Sequence, residues 1–459
     1  MQDGARRSWR LVAAEPAAQL ATLRVVVPLM ILGCPETRHA PRLAAVPPEL
    51  RVAPEGLGWF VHGVPISPTV ASLAQAVCVF SALCAVFGVR ARPALIALTL
   101  TTFYLFALSQ LSGAVWHDMH LLWMVALLAA SPCDEALSFD RRSEPRRPNS
   151  TRYGWPLFFA RLLLGCIYFF PGLHKLHTSG LAWALSDNLR NQLWWKWAEH
   201  GIEGPLRVDR MPAVLHACAL FALAFELSFP VLALVRRTRP WAVCGGLAFH
   251  LLAAVFLRIP FVSLWALYVV LVDPEAIAAW ARRTWVRLWD PARAPRLPPP
   301  PSPSESCPTA APAPATLLVG ALLVTGAVVQ GVRGQMAAYP FACYPTFEWI
   351  IGTEMPDLVI EVETVTGERV VVPHARDARG YRTQRQWGEV WSLAGVTGTV
   401  DPVRLRAYLA SVARNPSTRL LLRRGVRVRV YRAAVSVAPD ARDAPARLGP
   451  LLLEIPLGS

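Results

Sequence analysis

Nine apolar stretches, most of them near the length of a bilayer crossing, constrain this chain more than any other feature. A helix needs roughly 20 largely apolar residues to cross a membrane. Such stretches lie near 17–35, 69–88, 93–112, 119–132, 156–174, 212–235, 240–258, 261–273 and 316–333. The fourth and eighth are short, which leaves them to be tilted, extended or partly re-entrant. With 54% hydrophobic and only 17% charged residues, the chain reads as an integral membrane protein. The expected fold is an all-α polytopic membrane bundle of about nine transmembrane helices, carrying a small α+β extracytoplasmic domain at its C-terminal end.

Charge between the spans sets the expected orientation. The arginine-rich segments are the N-terminal RRSWR, VRAR at 89–92, RRSEPRRPNSTR at 141–152, RRTR at 236–239, and 282–296. With nine spans all five fall on one side, which the positive-inside rule makes the cytoplasm. The N-terminus is then cytoplasmic, and 36–68, 113–118, 175–211 and everything after about 334 lie outside. A net charge of +15 would point to nucleic acid in a soluble protein. Here topology accounts for it, and no nucleic-acid partner is expected. The first apolar run is interrupted by Glu15 and Arg24 and reads as a membrane helix rather than a signal peptide.

Four parts follow. Residues 1–275 form the transmembrane domain, and 276–315 an amphipathic helix and a Pro-rich linker on the cytoplasmic side. The last span is 316–334, and the outer domain is 335–459. PEAIAAWARRTWVRLW (274–289) sets Ile277, Trp280, Trp285 and Leu288 beside three arginines, the pattern of a helix lying on a membrane surface. In the outer domain, DLVIEVET and ERVVVP read as a hairpin turning at Gly367. Asp401 and Pro402 open a helix as cap and first residue, and VRVRVYRAAVSV and LLLEIP read as further strands.

Of the 46 basic side chains only Lys175 and Lys196 are lysine. Lys175 stands in FFPGLHKLH, where the fifth apolar stretch ends. Arginine holds its proton in proteins, whereas a buried lysine can become a neutral amine. A lysine kept at this place is expected to be one whose proton matters; chance survival accounts for it equally well. Ionisable groups within a membrane are functional candidates by default. They are His117 in AVWHDMHLLW, Lys175, Glu226 in FELSFP and His250 in LAFHLLAAVF, on different helices that can line one cavity. Structural roles are open for each: His117 as an interfacial residue, His250 as a core histidine, Glu226 as the partner of Arg24 or Arg161. His174 and His177 flank Lys175, and QLWWKWAEH reads as an interfacial aromatic belt. The nine cysteines include no CxxC pair, and no HExxH, GxSxG or phosphate loop occurs, so no metal site is expected.

Four stretches resemble the vitamin K-dependent γ-carboxylase family and its bacterial relatives, which share the horizontally transferred transmembrane (HTTM) domain. They are WHDMHLLWMVALLAASPCDEALSFD (116–140), RLLLGCIYFFPGLHKLHTSGLAW (161–183), FELSFPVLAL (225–234) and FHLLAAVFLRIPF (249–261), in the family's order. YPFACYPTFEW (339–349) is similar to a stretch of the bacterial relatives and is expected to pack the outer domain onto the membrane part. The resemblance covers roughly 15–275. It implies oxygen-dependent epoxidation of vitamin K hydroquinone or menaquinol in the membrane lipid, coupled in the family to glutamate γ-carboxylation with carbon dioxide on an extracytoplasmic peptide, a carbon–carbon lyase chemistry. It implies Lys175 as the base and His117 as a second catalytic residue, and a further family position falls on His250; His250, His174, Glu226, Trp116 and Trp183 are the residues expected around the quinol. The animal enzymes have two lysines before the leucine, and here the first is His174. Arg258-Ile259-Pro260 replaces the family's "IG" step, and the outer region is much smaller. These departures keep a second class in play: a non-catalytic membrane scaffold or transporter that binds a partner through its outer domain.

Overall fold

Apolar length and helix caps decide where each span starts and stops. The computed structural model describes residues 12–111, 118–145, 147–204, 206–289, 311–334, 338–341, 347–372, 390, 392–395, 400–441 and 444–457. In chain order the helices of the membrane part are α1 (Ala17–Gly33), α2 (Pro35–Arg38), α3 (Ala40–Ala44), α4 (Gly58–Gly63), α5 (Pro68–Phe87), α6 (Ala91–Gln110), α7 (Met119–Ala129), α8 (Thr151–Ser179), α9 (Ala182–Leu185), α10 (Asn188–His200), α11 (Pro212–Leu234), α12 (Arg239–Leu252), α13 (Val262–Ala266), α14 (Pro274–Trp289) and α15 (Pro314–Arg333). A π-helical turn, Ala253–Leu257, extends α12.

Among the described residues six helices are long and apolar enough to cross a membrane: α5, α6, α8, α11, α12 with its π turn, and α15. A seventh arises if Val262–Val270 and Pro274–Trp285, which meet at 90°, are one bent span. Of the nine stretches expected to span, these are the ones whose helices have full spanning length; the fourth and eighth, short already in the sequence, do not. α1 has 17 residues and α7 only 11. α7 is buried on nearly every side, from Met119 through Leu128, and a helix apolar all round belongs inside a bundle. The segment 261–273 ends at the expected place, and the chain turns there because Asp273 caps a new helix. Its Oδ1 accepts from the Glu275 and Ala276 amides at 2.9 and 3.2 Å, with Pro274 at the first position. The new helix, α14, exposes Ile277, Trp280, Trp285 and Trp289.

A buried ionic knot ties three helices at the end of the bundle where α1 begins and α12 starts. Glu15 Oε1 takes Arg161 Nη1 at 2.8 Å and Arg239 Nη1 at 3.3 Å. Arg161 Nε also donates to the Val270 carbonyl at 2.9 Å, and Gln19 donates to Val270 and Val272. Arg24, fully buried, donates to the Ala85 and Leu137 carbonyls at 2.5 and 2.6 Å. Neither arginine meets Glu226, so that pairing is excluded by position.

The C-terminal residues build a four-stranded antiparallel sheet, order β2-β1-β3-β4, from β1 (Glu354–Thr364), β2 (Arg369–Val371), β3 (Gly425–Ser436) and β4 (Arg447–Pro456). The hairpin turns at Gly367, whose φ of +82° suits glycine. Helices α16 (Pro402–Val412) and α17 (Pro416–Arg424) lie between β2 and β3 in sequence. The Asp401 side chain caps α16 by accepting from the Val403 amide. Leu405, Tyr408 and Leu409 of α16 join Leu358, Val362, Val428 and Val430 in one core. Leu50, from a loop of the membrane part, enters the same core.

A cavity with a buried lysine–glutamate pair

α8 and α11 pack closely because glycine lines the seam. A Cβ on Gly172 would stand 2.8 Å from the Glu226 Cβ, and one on Gly165 3.2 Å from Pro230. Small residues allow this approach of helices in membranes. The closeness lets Glu226 reach Lys175, one turn beyond Gly172 on α8. Lys175 Nζ lies 2.5 and 2.6 Å from the two carboxylate oxygens of Glu226, and both side chains are buried. Gly172→Val is therefore expected to prise α8 from α11 and to cost about 1–3 kcal/mol, read as a lower thermal midpoint in detergent. A midpoint equal to wild type would mean that the seam is slack.

The pair forms one wall of a cavity of about 260 Å³. Its other walls are nearly all apolar and come from α8, α10, α11, α12 and its π turn, with Phe261 and Phe347. Val214, Phe221 and Leu252 line it and are also exposed on the outer surface. The wall between α11 and α12 is thus one side chain thick. π-helical turns recur at functional sites, and this one supplies Phe256 and Leu257 to the lining. The Lys175 ammonium also lies 5.2 Å from the Trp183 ring centroid, within cation–π range.

A second polar group faces the same cavity. His250 Nε2 and Tyr168 Oη are 2.5 Å apart, and Tyr168 Oη continues to Tyr268 Oη at 2.7 Å. Phe225, Phe229 and Phe249 pack around Tyr168. Tyr268 reaches in over Gly246, where any Cβ would collide with it. The other ring nitrogen of His250, Nδ1, is buried without a hydrogen-bond partner among the described residues.

Of the residues singled out from sequence, Lys175, Glu226, His250 and Trp183 line this one cavity. His174 does not. One residue along a helix turns a side chain by about 100°, and His174 instead meets the Gly331 carbonyl of α15 at 2.7 Å and Glu348 at 4.0 Å. Burial raises the Glu348 carboxyl above its ordinary range, and His174 and His177 oppose that rise. His117 and Trp116 lie outside the described residues. Lys175 is gripped by a carboxylate, that of Glu226, for which the sequence had offered Arg24 or Arg161 as partner instead. Tyr168, Tyr268 and Phe347 went unnoticed in the sequence. Tyr168 had a signal: it is seven residues before Lys175, hence on the same helix face.

The segment after α15 roofs the site. Trp123 Nε1 donates to the Pro340 carbonyl at 2.7 Å, and Tyr339 Oη to the Phe103 carbonyl at 2.5 Å. Further along, Trp183 donates to the Phe347 carbonyl (2.5 Å), Ser179 to Glu348 (2.9 Å), Asn191 to Ile351 (2.8 Å) and Trp195 to Gly352 (2.9 Å). The tryptophans of α10, read from sequence as an interfacial belt, bond protein carbonyls and Asp209, and Trp197 is fully buried.

Long apolar helices, a buried ionic knot and an apolar hollow with one lysine–glutamate pair define a polytopic integral membrane protein with an internal site. A family model described as the HTTM domain matches residues 15–275. The chain belongs to the HTTM domain family, which relates it to vitamin K-dependent carboxylase. No curated protein and no solved structure is significantly similar to it.

Proposed function

We propose that this protein binds a reduced isoprenoid naphthoquinone, vitamin K hydroquinone or menaquinol, in the α8–α11–α12 cavity and uses Lys175 to start its oxygen-dependent epoxidation. The observation carrying this reading is the Lys175–Glu226 pair on the wall of a largely apolar cavity that His250 also lines, its Nδ1 without a hydrogen-bond partner among the described residues. The cavity volume, about 260 Å³, lies near the lower end of the ~300–1,000 Å³ range of small-molecule sites. That suits an aromatic head group whose tail leaves between α11 and α12 into lipid. Two polar points in an apolar hollow suit a ring with an oxygen at each end.

The quinol, with dioxygen, supplies the strong base that in the family removes a glutamate γ-proton before carbon dioxide adds. The protein's part is to take a hydroxyl proton at Lys175 Nζ. To accept it, Nζ first passes its own proton to Glu226 Oε1, leaving both groups neutral. Away from water, an ion pair and its neutral counterpart lie closer in energy than they do in bulk solvent. The apolar walls keep water from competing for that proton. His250 Nδ1 holds the second quinol oxygen, and its ring is fixed through Nε2 by Tyr168. In this reading the N-terminus is cytoplasmic and the sheet domain extracytoplasmic, where a peptide bearing the glutamate would approach.

The test incubates purified protein in lipid nanodiscs with reduced menaquinone or vitamin K and oxygen, and looks for the epoxide by mass spectrometry. Wild type is expected to form it, and Lys175→Ala to lose at least a hundredfold in rate, the lower end of what a general base contributes. The double variant Lys175→Met/Glu226→Leu, which preserves packing, should be equally inactive. Absence of epoxide from wild type, or unchanged epoxide from the double variant, sinks the reading in favour of a non-catalytic membrane scaffold or transporter.

A further inference from the structure

We propose that Cys34, Glu36 and Asp118 hold a divalent metal ion, and that their ligand set selects zinc. Cys34 links α1 to α2, Glu36 lies in α2, and Asp118 directly precedes α7. One ligating atom from each, a thiol sulfur and two carboxylate oxygens, lies within 4.8 Å of the others. Zinc stands about 2.3 Å from sulfur and 2.0–2.2 Å from oxygen. Side-chain rotations moving these atoms by about 1 Å or less would bring all three onto one centre.

A second observation points to a ligand. Glu36 is only 3% exposed. Its Oε2 is buried with no hydrogen-bond partner among the described residues. A buried carboxylate oxygen without a donor is costly, and a cation satisfies it directly. Nearby Arg38 is exposed and donates to the Gly33 carbonyl instead. Ser263 Oγ donates to Asp118 Oδ1, the outer contact that typically orients a metal-binding carboxylate. Calcium and magnesium take all-oxygen sets, whereas one thiolate with two carboxylates suits zinc, with water in the fourth position. Spacing in the sequence gave no hint of this site, because Asp118 is far along the chain from Cys34. The ion would staple the α1–α2 turn to the start of α7. The site is separate from the cavity and stands or falls independently of the quinol reading.

The protein is purified in detergent without chelator, given equimolar zinc, desalted and analysed by elemental mass spectrometry. About one zinc per chain is expected for wild type, and at least a tenfold loss of affinity for Cys34→Ala and for Glu36→Gln. Gel filtration and thermal melting check that the variants fold. Should either misfold, cobalt loading of wild type decides, since a thiolate-to-cobalt charge-transfer band reports Cys34 ligation directly. Wild type without metal, zinc retained by the folded variants, or cobalt uptake without that band would each overturn the site.

Discussion

Glu226→Ala and Lys175→Ala should each destabilise the folded protein by roughly 3–5 kcal/mol, while Lys175→Met/Glu226→Leu should recover most of that loss. Both side chains are almost wholly buried and hold each other at 2.5–2.6 Å. Removing one leaves the other charged and unsolvated among apolar helices. Removing both with volume retained leaves a hollow lined by the groups that already surround it. Thermal or denaturant unfolding in detergent compares the four proteins. If Glu226→Ala melts with wild type, water already reaches the pair and the dry cavity on which the proton transfer depends does not exist. If the double variant is as unstable as the singles, its use as a folded but inactive control fails, and the epoxide test rests on Lys175→Ala alone.

Glu15→Ala should be comparably damaging, again roughly 3–5 kcal/mol, at the opposite end of α8. Glu15 is the shared counterion of Arg161 and Arg239, all three side chains being close to fully buried. Without it two guanidinium groups are left with one carbonyl bond each, Arg161 to Val270 and Arg239 to Ala233. The backbone pairing of Glu15 with Ser150 would survive, since it needs no side chain. Arg161→Met should be milder, because Glu15 keeps Arg239. Equal melting of Glu15→Ala and wild type would show that these arginines reach water.

Much of the membrane part was legible because hydropathy acts over about twenty residues at a time, and such a signal survives any local detail. α5, α6, α8, α11, α12 and α15 all follow it. It says less about segments whose neighbours, rather than lipid, cover them. α7 is apolar because it is interior, and interior helices need not match the bilayer thickness. The break at Asp273 was readable too, as a cap followed by proline where the apolar run gives way to the arginine-bearing stretch 274–289. The hairpin at Gly367 and the helix opened by Asp401 and Pro402 were readable because turns and caps act over a few residues.

The site divides similarly. Lys175, Glu226 and His250 were flagged because an ionisable group in an apolar stretch is conspicuous on its own. That they can line one cavity was an expectation; the direct Lys175–Glu226 pairing was not readable, because it depends on Gly172 and Gly165 bringing α8 against α11, and glycine says nothing about its partner. Tyr168 and Tyr268 passed as ordinary aromatic residues; their role appears only once the hydroxyls are seen between His250 and each other. His174 stood out in sequence beside Lys175, and helix geometry turned it to another face.

The roof over the cavity and the lead-in to β1 are a single run of backbone, from Phe347 to Glu354. Four side chains from α8, α9 and α10 peg it down by its carbonyls. The sheet and the hollow are therefore coupled through one strip of main chain. A slip of one residue along this run, roughly 3.3 Å, would draw Phe347 away from the Trp183 indole it bonds and from the cavity it lines.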